Sequence, residues 1–413
     1  MKDLCLNKIK QHFTDNSLPD IKGKLSAELL KLKPLLKPGN RIALAVGSRG
    51  IKNLATIVRE VAAFIRDNNA YPFIVPAMGS HGNASAAGQT EILAGYGISE
   101  KTMGLPVLSS MEVVGLTRGD SQFPVFMDKY AYESDGVIII NRVKPHTDFH
   151  GIYESGLVKM SVIGLGKEKQ ASAVHEYGVY GLSALIPKAA ELVFSSGKII
   201  GGIALVENSL DNIMLLKVLK TDEFFEKEPE LLELARKNMP SLPVDDIDVL
   251  IIDQMGKDIC GVGIDPNIIG RIRISGQKEP EKPVIKAIIT RDLSDGSHGN
   301  AIGIGLSDVI TRKLYNKIDF SSTYKNAVTS TFLDRAKIPL IAENDKEAVR
   351  TALRSCGHLE KGKEKIIRIK DTLHLDEMYV SVSVTDSLRT KKRIEVLKED
   401  VKLFDKDNNI TEF

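Results

Sequence analysis

Short apolar runs separated by polar turns recur through the first half of the chain, with stretches of helical periodicity between them. Arg41–Val46 (RIALAV), after the turn Lys37-Pro38-Gly39-Asn40, reads as a short buried strand. Leu54, Ile57, Val58, Val61, Ala62 and Ile65 then recur on one helix face, which predicts an amphipathic helix over Lys52–Asp67. Tyr71–Pro76 reads as a second strand leading into the loop Met78-Gly79-Ser80-His81-Gly82-Asn83, and a further helix is expected from Ser85 to near Gly95. Gly136–Asn141 (GVIIIN) and Lys198–Val206 (KIIGGIALV) are further apolar, β-branched runs. Strands alternating with helices predict an α/β domain with a largely parallel sheet.

The pattern changes at Thr221–Val244, which is charged and helical and then proline-bearing (Met239-Pro240-Ser241-Leu242-Pro243). A domain boundary is placed there. Residues 1–240 are read as an N-terminal α/β domain carrying the chemistry, and 241–413 as a C-terminal α/β domain closing an interdomain active-site cleft. In the second half, Ile247–Asp253 and Pro283–Thr290 predict strands, as does the later run Met378–Val384. Helices are expected around Leu306–Ile318, Ser322–Ala336 and Glu347–Cys356, and Arg393–Phe413 reads as a charged peripheral tail.

Length agrees with two domains, since 413 residues exceed what one core usually serves. The 56 basic and 54 acidic residues are interspersed and leave a net charge of +2, which argues against a nucleic-acid or membrane surface. No apolar run is long enough to span a bilayer, and MKDLCLNKIKQHF lacks the pattern of a secretory signal. Cys5, Cys260 and Cys356 are odd in number and far apart, so a disulfide framework or structural zinc site is not expected. These features together predict a reduced cytoplasmic protein.

Candidate chemistry concentrates between Asn141 and Gly178, where His146, His150, Lys159 and His175 share one glycine-punctuated stretch. Imidazoles move protons near neutral pH and bind borderline metals, and a lysine can bond covalently to a cofactor. Ligands of open α/β sheets lie beyond the carboxyl ends of the strands, and three such loops carry reactive residues. Ser48-Arg49-Gly50 precedes a helix, where free amides and a guanidinium suit an anion. His81 sits between glycines that allow close approach. Arg142, Lys144 and His146 follow the third strand. The hexapeptide of residues 79–84, GSHGNA, recurs at 296–301 around His298, either as a second loop facing the same cleft or as a coincidence of turn composition. No HExxH, GxSxG or GxGxxG motif is present to direct the reading elsewhere.

At these residues the chain resembles the nickel-dependent lactate racemase family, whose members carry a nickel-pincer nucleotide. The resemblance rests on Pro145-His146, then Ser155-Gly156-Leu157-Val158-Lys159, then His175 sixteen residues further on, with His81 in an earlier strand-to-helix loop. It implies an isomerase that racemises or epimerises a 2-hydroxy acid by reversible hydride transfer through a 2-oxo acid. It further implies that Lys159 binds the cofactor covalently through a thioamide and that His175 is the protein ligand of nickel. The pincer supplies one carbon and two sulfurs, so one imidazole completes a square-planar set. His81 and His146 would be the paired acid/base residues, and Ser48 and Arg49 would bind the cofactor phosphate and the substrate carboxylate. Lys144 stands where the family has a glutamate, with Arg142 two residues earlier, and those cations could seat a second carboxylate or a polyhydroxylated acid. The family's substrate-facing loop of the second domain is echoed only weakly in Asp265–Arg273, where Arg273 is a further candidate for substrate binding.

The expected partners are a small 2-hydroxy carboxylate and the enzymes that make the cofactor. The same chemistry could also serve dehydration of a sugar acid. Two readings of other classes stay open at this point. One is a hydrolase or lyase using an ordinary divalent metal at His146, His150 and His175, and the other is a non-catalytic ligand-binding homologue.

Overall fold

A computed structural model describes residues 4–47, 50–117 and 123–413, and among these the chain forms two compact units. One is Asp15–Met239; the other joins Pro240–Phe413 to the N-terminal residues up to Thr14. The change of unit at Met239 and Pro240 falls in the proline-bearing segment, but the first residues of the chain group with the second unit. The reason is strand pairing: Cys5–Gln11 lies between Glu377–Val380 and Ile394–Lys402, antiparallel to both.

The Asp15–Met239 unit is built on a five-stranded sheet in the order Tyr71–Pro76, Arg41–Val46, Gly136–Arg142, Ile199–Glu207, Ile213–Lys220. Neighbours among the first four strands run parallel, and the last is antiparallel. Arg41–Val46 and Tyr71–Pro76 are buried after their first residue, as expected for parallel strands covered on both faces. The helix Leu54–Asp67 packs Leu54, Ile57, Val58, Val61, Ala62 and Ile65 onto this sheet, the same six residues that carry its apolar periodicity. The strand order reverses between Arg41–Val46 and Gly136–Arg142, the position where open α/β sheets bind ligands beyond the strand ends.

The other unit has an eight-stranded sheet in the order Leu340–Ala342, Val309–Thr311, Val284–Leu293, Asp246–Met255, Ile366–Ile369, Glu377–Val380, Cys5–Gln11, Ile394–Lys402. The first five strands are parallel and the rest antiparallel. Both units are thus α/β with largely parallel sheets. Three expectations change here. Leu306–Ile318 is not one helix: it holds the buried strand Val309–Thr311 and the short helix Arg312–Tyr315. Met378–Val384 divides into a strand ending at Val380 and a helix Val382–Leu388. Arg393–Phe413 is no peripheral tail, because Ile394–Lys402 closes one edge of the sheet, its charges facing solvent as sheet edges require. The three cysteines form no disulfide. No helix among the described residues is long and apolar enough to cross a membrane.

Candidate active site

The loop that follows strand Gly136–Arg142 is closed at its base by paired backbone bonds between Lys144 and Ser155, 2.9 and 3.2 Å long. Its interior is organised by one buried carboxylate. Glu154 accepts from the backbone N–H of His146 at 2.5 Å and of Gly151 at 2.9 Å, faces His150 Nδ1 at 3.3 Å, and is held by the Arg236 guanidinium. A charge taken out of water needs such partners to persist. The His146 ring packs against buried Phe149, with centroids 4.8 Å apart. The backbone N–H of Asp148 donates to its Nδ1 at 3.0 Å, which leaves the proton of the neutral ring on Nε2. That Nε2 contacts Lys159 Nζ.

Lys159 ends a three-residue helix, Leu157–Lys159, that runs on into the π turn Met160–Gly164. So short a helix does not hold itself. Its first N–H groups, on Leu157 and Val158, donate to the carboxylate of Glu228 at 2.6 and 3.0 Å. Position 156 must be glycine for this to occur, because a Cβ there would lie 2.3 Å from Glu228 Oε1. At Gly202 an added Cβ would stand 3.0 Å from the Leu157 methyls, so the glycine leaves Leu157 room to pack there.

Burial dominates the electrostatics. It pushes the Lys159 amine down to about 8, against the opposing pull of Asp148 and Glu154 and with further help from Lys144. Burial, and then the charge of Lys159, holds His146 far below its ordinary range, at about 3. The same two causes lower His175. Burial also raises Glu228 to about 7. His146 and Lys159 therefore meet as a neutral imidazole N–H and an amine within reach of its neutral form. That is the state in which an amine is a nucleophile. His175, at the end of helix Lys167–His175, has a buried Nδ1 with no hydrogen-bond partner.

Of the other predicted residues, His81 lies on an exposed turn after Tyr71–Pro76. That turn is tied to the segment after Lys159, since Gly79 N–H donates to Gly164 O at 3.2 Å. Gln89 Nε2 holds Gly79 O at 2.9 Å and His81 O at 3.3 Å, and its Oε1 accepts from Lys167 at 3.1 Å. Lys167 is itself fully buried and ion-paired to Asp128 at 3.2 Å. Ser48 and Arg49 lie outside the described residues. Arg142 is ion-paired with Glu207, while the charge of Lys144 acts on both His146 and Lys159. Arg273 belongs to the other unit, where it pairs with Asp308 at 3.1 Å. The two GSHGNA copies differ in backbone: the first has positive φ at Gly79, Gly82, Asn83 and Ala84, the second at His298 and Gly299.

Among the described residues no three His, Cys, Asp or Glu side chains are grouped to hold a metal ion. His146 directs its ring nitrogens to Asp148 N–H and Lys159, and His150 turns to Glu154. The three-histidine site of a divalent-metal hydrolase is therefore not formed. The sequence reading missed Glu154, Glu228 and Arg236. The four-residue spacing of His150 and Glu154 was a usable signal; the other two sit in what reads as a charged linker helix.

No protein-family model matches the chain, and no curated protein matches it. Among solved structures it is similar to the lactate racemase apoprotein from Thermoanaerobacterium thermosaccharolyticum, at 14% identity and a TM-score of 0.54, over 89% of this chain and 98% of that one. A protein from Thermotoga maritima matches at 13% identity and a TM-score of 0.49, over 68% and 72%. At such identities the first likeness shows a shared fold.

Proposed function

We propose that the chain is a racemase or epimerase of a 2-hydroxy acid that works with a nickel-pincer nucleotide. The observation that carries the reading is the contact of a depressed Lys159 amine with His146, together with an imidazole, His175, that feels the charge of Lys159 and whose buried Nδ1 lacks a hydrogen-bond partner. The residues fit such a group. Lys159 has an amine whose neutral form, which a thioamide linkage needs, lies within reach near neutral pH, and His175 has a nitrogen left over for a metal. A cofactor bringing three donors of its own asks the protein for only one more, which suits a site without a three-ligand cluster.

When bound, the nucleotide supplies a hydride acceptor and donor; the protein binds, orients and moves protons. With Nδ1 engaged by Asp148 N–H, His146 offers its Nε2 proton to the hydroxyl oxygen of the substrate. His81 is then left as the base that takes up the hydroxyl proton. Lys144 supplies positive charge toward a carboxylate, whereas Arg142 is already paired with Glu207. Glu154 holds the backbone of His146, so the acid/base ring is anchored from behind.

Intact-mass measurement on protein made together with the cofactor-synthesis enzymes tests this. The expected results are a mass adduct that disappears in Lys159→Ala, one nickel per adduct, and stereochemical exchange of a 2-hydroxy acid. An active protein that is unmodified and nickel-free would overturn the proposal.

A further inference from the structure

We propose that Glu228 and Arg236 are positioning residues: one face of helix Phe224–Asn238 braces both the His146 loop and the Lys159 helix and so creates the His146–Lys159 contact. The inference deepens the reading of Lys159 and His146 given above and rests on it.

The two side chains are eight residues apart, about two helical turns, and reach different parts of the site. Glu228 takes the N–H groups of Leu157 and Val158 at 2.6 and 3.0 Å, directly before Lys159. Arg236 binds Glu154 and also Gly151 O at 3.1 Å, and Glu154 in turn holds the N–H of His146 at 2.5 Å. Two segments on either side of Ser155 are thus clamped by one rigid rod. Neither segment could keep its place alone, one being a loop and the other a single turn.

Stability alone does not explain Glu228. Its carboxyl is buried, its Oε1 is buried with no hydrogen-bond partner, and a glycine at 156 is required to admit it. Burying a polar atom unpaired is unfavourable, and an apolar side chain would fill the space without that penalty. What a carboxyl oxygen adds is a fixed acceptor for two particular N–H groups at the start of the lysine's helix. The π turn immediately after Lys159 belongs to a class of irregularity that gathers at functional sites.

The test uses the whole chain without cofactor or nickel, so its failure leaves the racemase reading standing and is told apart from a failure of the adduct and nickel measurements. Lysines are acetylated with the N-hydroxysuccinimide ester of acetic acid over a pH series, and each site is quantified by peptide mass spectrometry. The groups acting on Lys159 are His146, Asp148, Glu154, Lys144 and His175. In the wild type, Lys159 reaches half-maximal labelling at a lower pH than exposed lysines. Glu228→Leu, which removes the acceptor of both N–H groups, and Arg236→Met each move that midpoint toward the exposed lysines by about one unit, a roughly tenfold loss of neutral amine at fixed pH, with the circular dichroism spectrum kept. A merely structural role would lower the unfolding midpoint and leave the labelling midpoint of Lys159 alone. That result in both variants would overturn the proposal. Should Glu228→Leu fail to fold, Arg236→Lys carries the test, since a single ammonium lacks the fork that spans Glu154 and Gly151 O.

Discussion

Replacing Lys159 by methionine should stabilise the cofactor-free protein. Burial lowers the amine from 10.5 to about 8, so the folded state holds its proton less tightly than the unfolded state. At about 1.36 kcal/mol per unit, the difference of roughly 2.5 units corresponds to about 3 kcal/mol of lost stability wherever both states are protonated. The sign follows from proton counting. Between about pH 8 and 10.5 the unfolded chain binds more protons than the folded one, so wild-type stability rises with pH across that window. Methionine keeps the length and apolar stem and removes the ammonium, which has no lone pair to accept from the Nε2–H of His146, so no hydrogen bond is forfeited near neutral pH. Lys159→Met should therefore be about 3 kcal/mol more stable near neutral pH, an advantage that fades as pH approaches 10.5. Urea denaturation followed by circular dichroism measures this, because the chain has no tryptophan. The other titrating groups are common to both proteins and cancel in the difference. A variant less stable than wild type near neutral pH, or an advantage that does not shrink with rising pH, would refute the reasoning.

Two further outcomes are expected. His146, held at about 3 against an ordinary 6.5, is neutral in the fold, so stability present above pH 6.5 falls as acid is added; the loss is about 4 kcal/mol by pH 3. His146→Asn should flatten that acid limb in the same denaturation assay, and an unchanged limb would count against the burial of a neutral ring. Asp128→Asn should cost about 3 kcal/mol by stranding the buried Lys167 ammonium, with Lys167→Met in the same chain recovering much of it, as a double-mutant cycle would reveal.

Much of the local structure was legible in the chain. Parallel strands covered on both faces are apolar through their middles, so the runs within Arg41–Val46, Tyr71–Pro76 and Gly136–Asn141 announce themselves. Helix Leu54–Asp67 was equally plain, because its buried face follows from a spacing of three and four residues. His146 and Lys159 lie thirteen residues apart, close enough for a single loop to bring them together, and that nearness is why the pair could be picked out. Where an element is charged or short the pattern fails. Ile394–Lys402 exposes most of its side chains as an edge strand and reads as a tail, and the three-residue strand Val309–Thr311 is hidden inside an apparently helical stretch.

What the linear order settled, then, was which residues are apolar, where the turns fall, and which reactive side chains are near neighbours. Contacts that bridge long separations were decided only in three dimensions. The first strand finds partners more than 360 residues away, and Glu228 reaches back 71 residues to seat the helix of Lys159. Such pairings depend on which surfaces meet when two segments pack, and a periodicity confined to one segment holds no record of its partner. The depressed amine of Lys159 is of the same kind. Any lysine is cationic as written; burial is what alters its charge, against the opposing pull of Asp148 and Glu154.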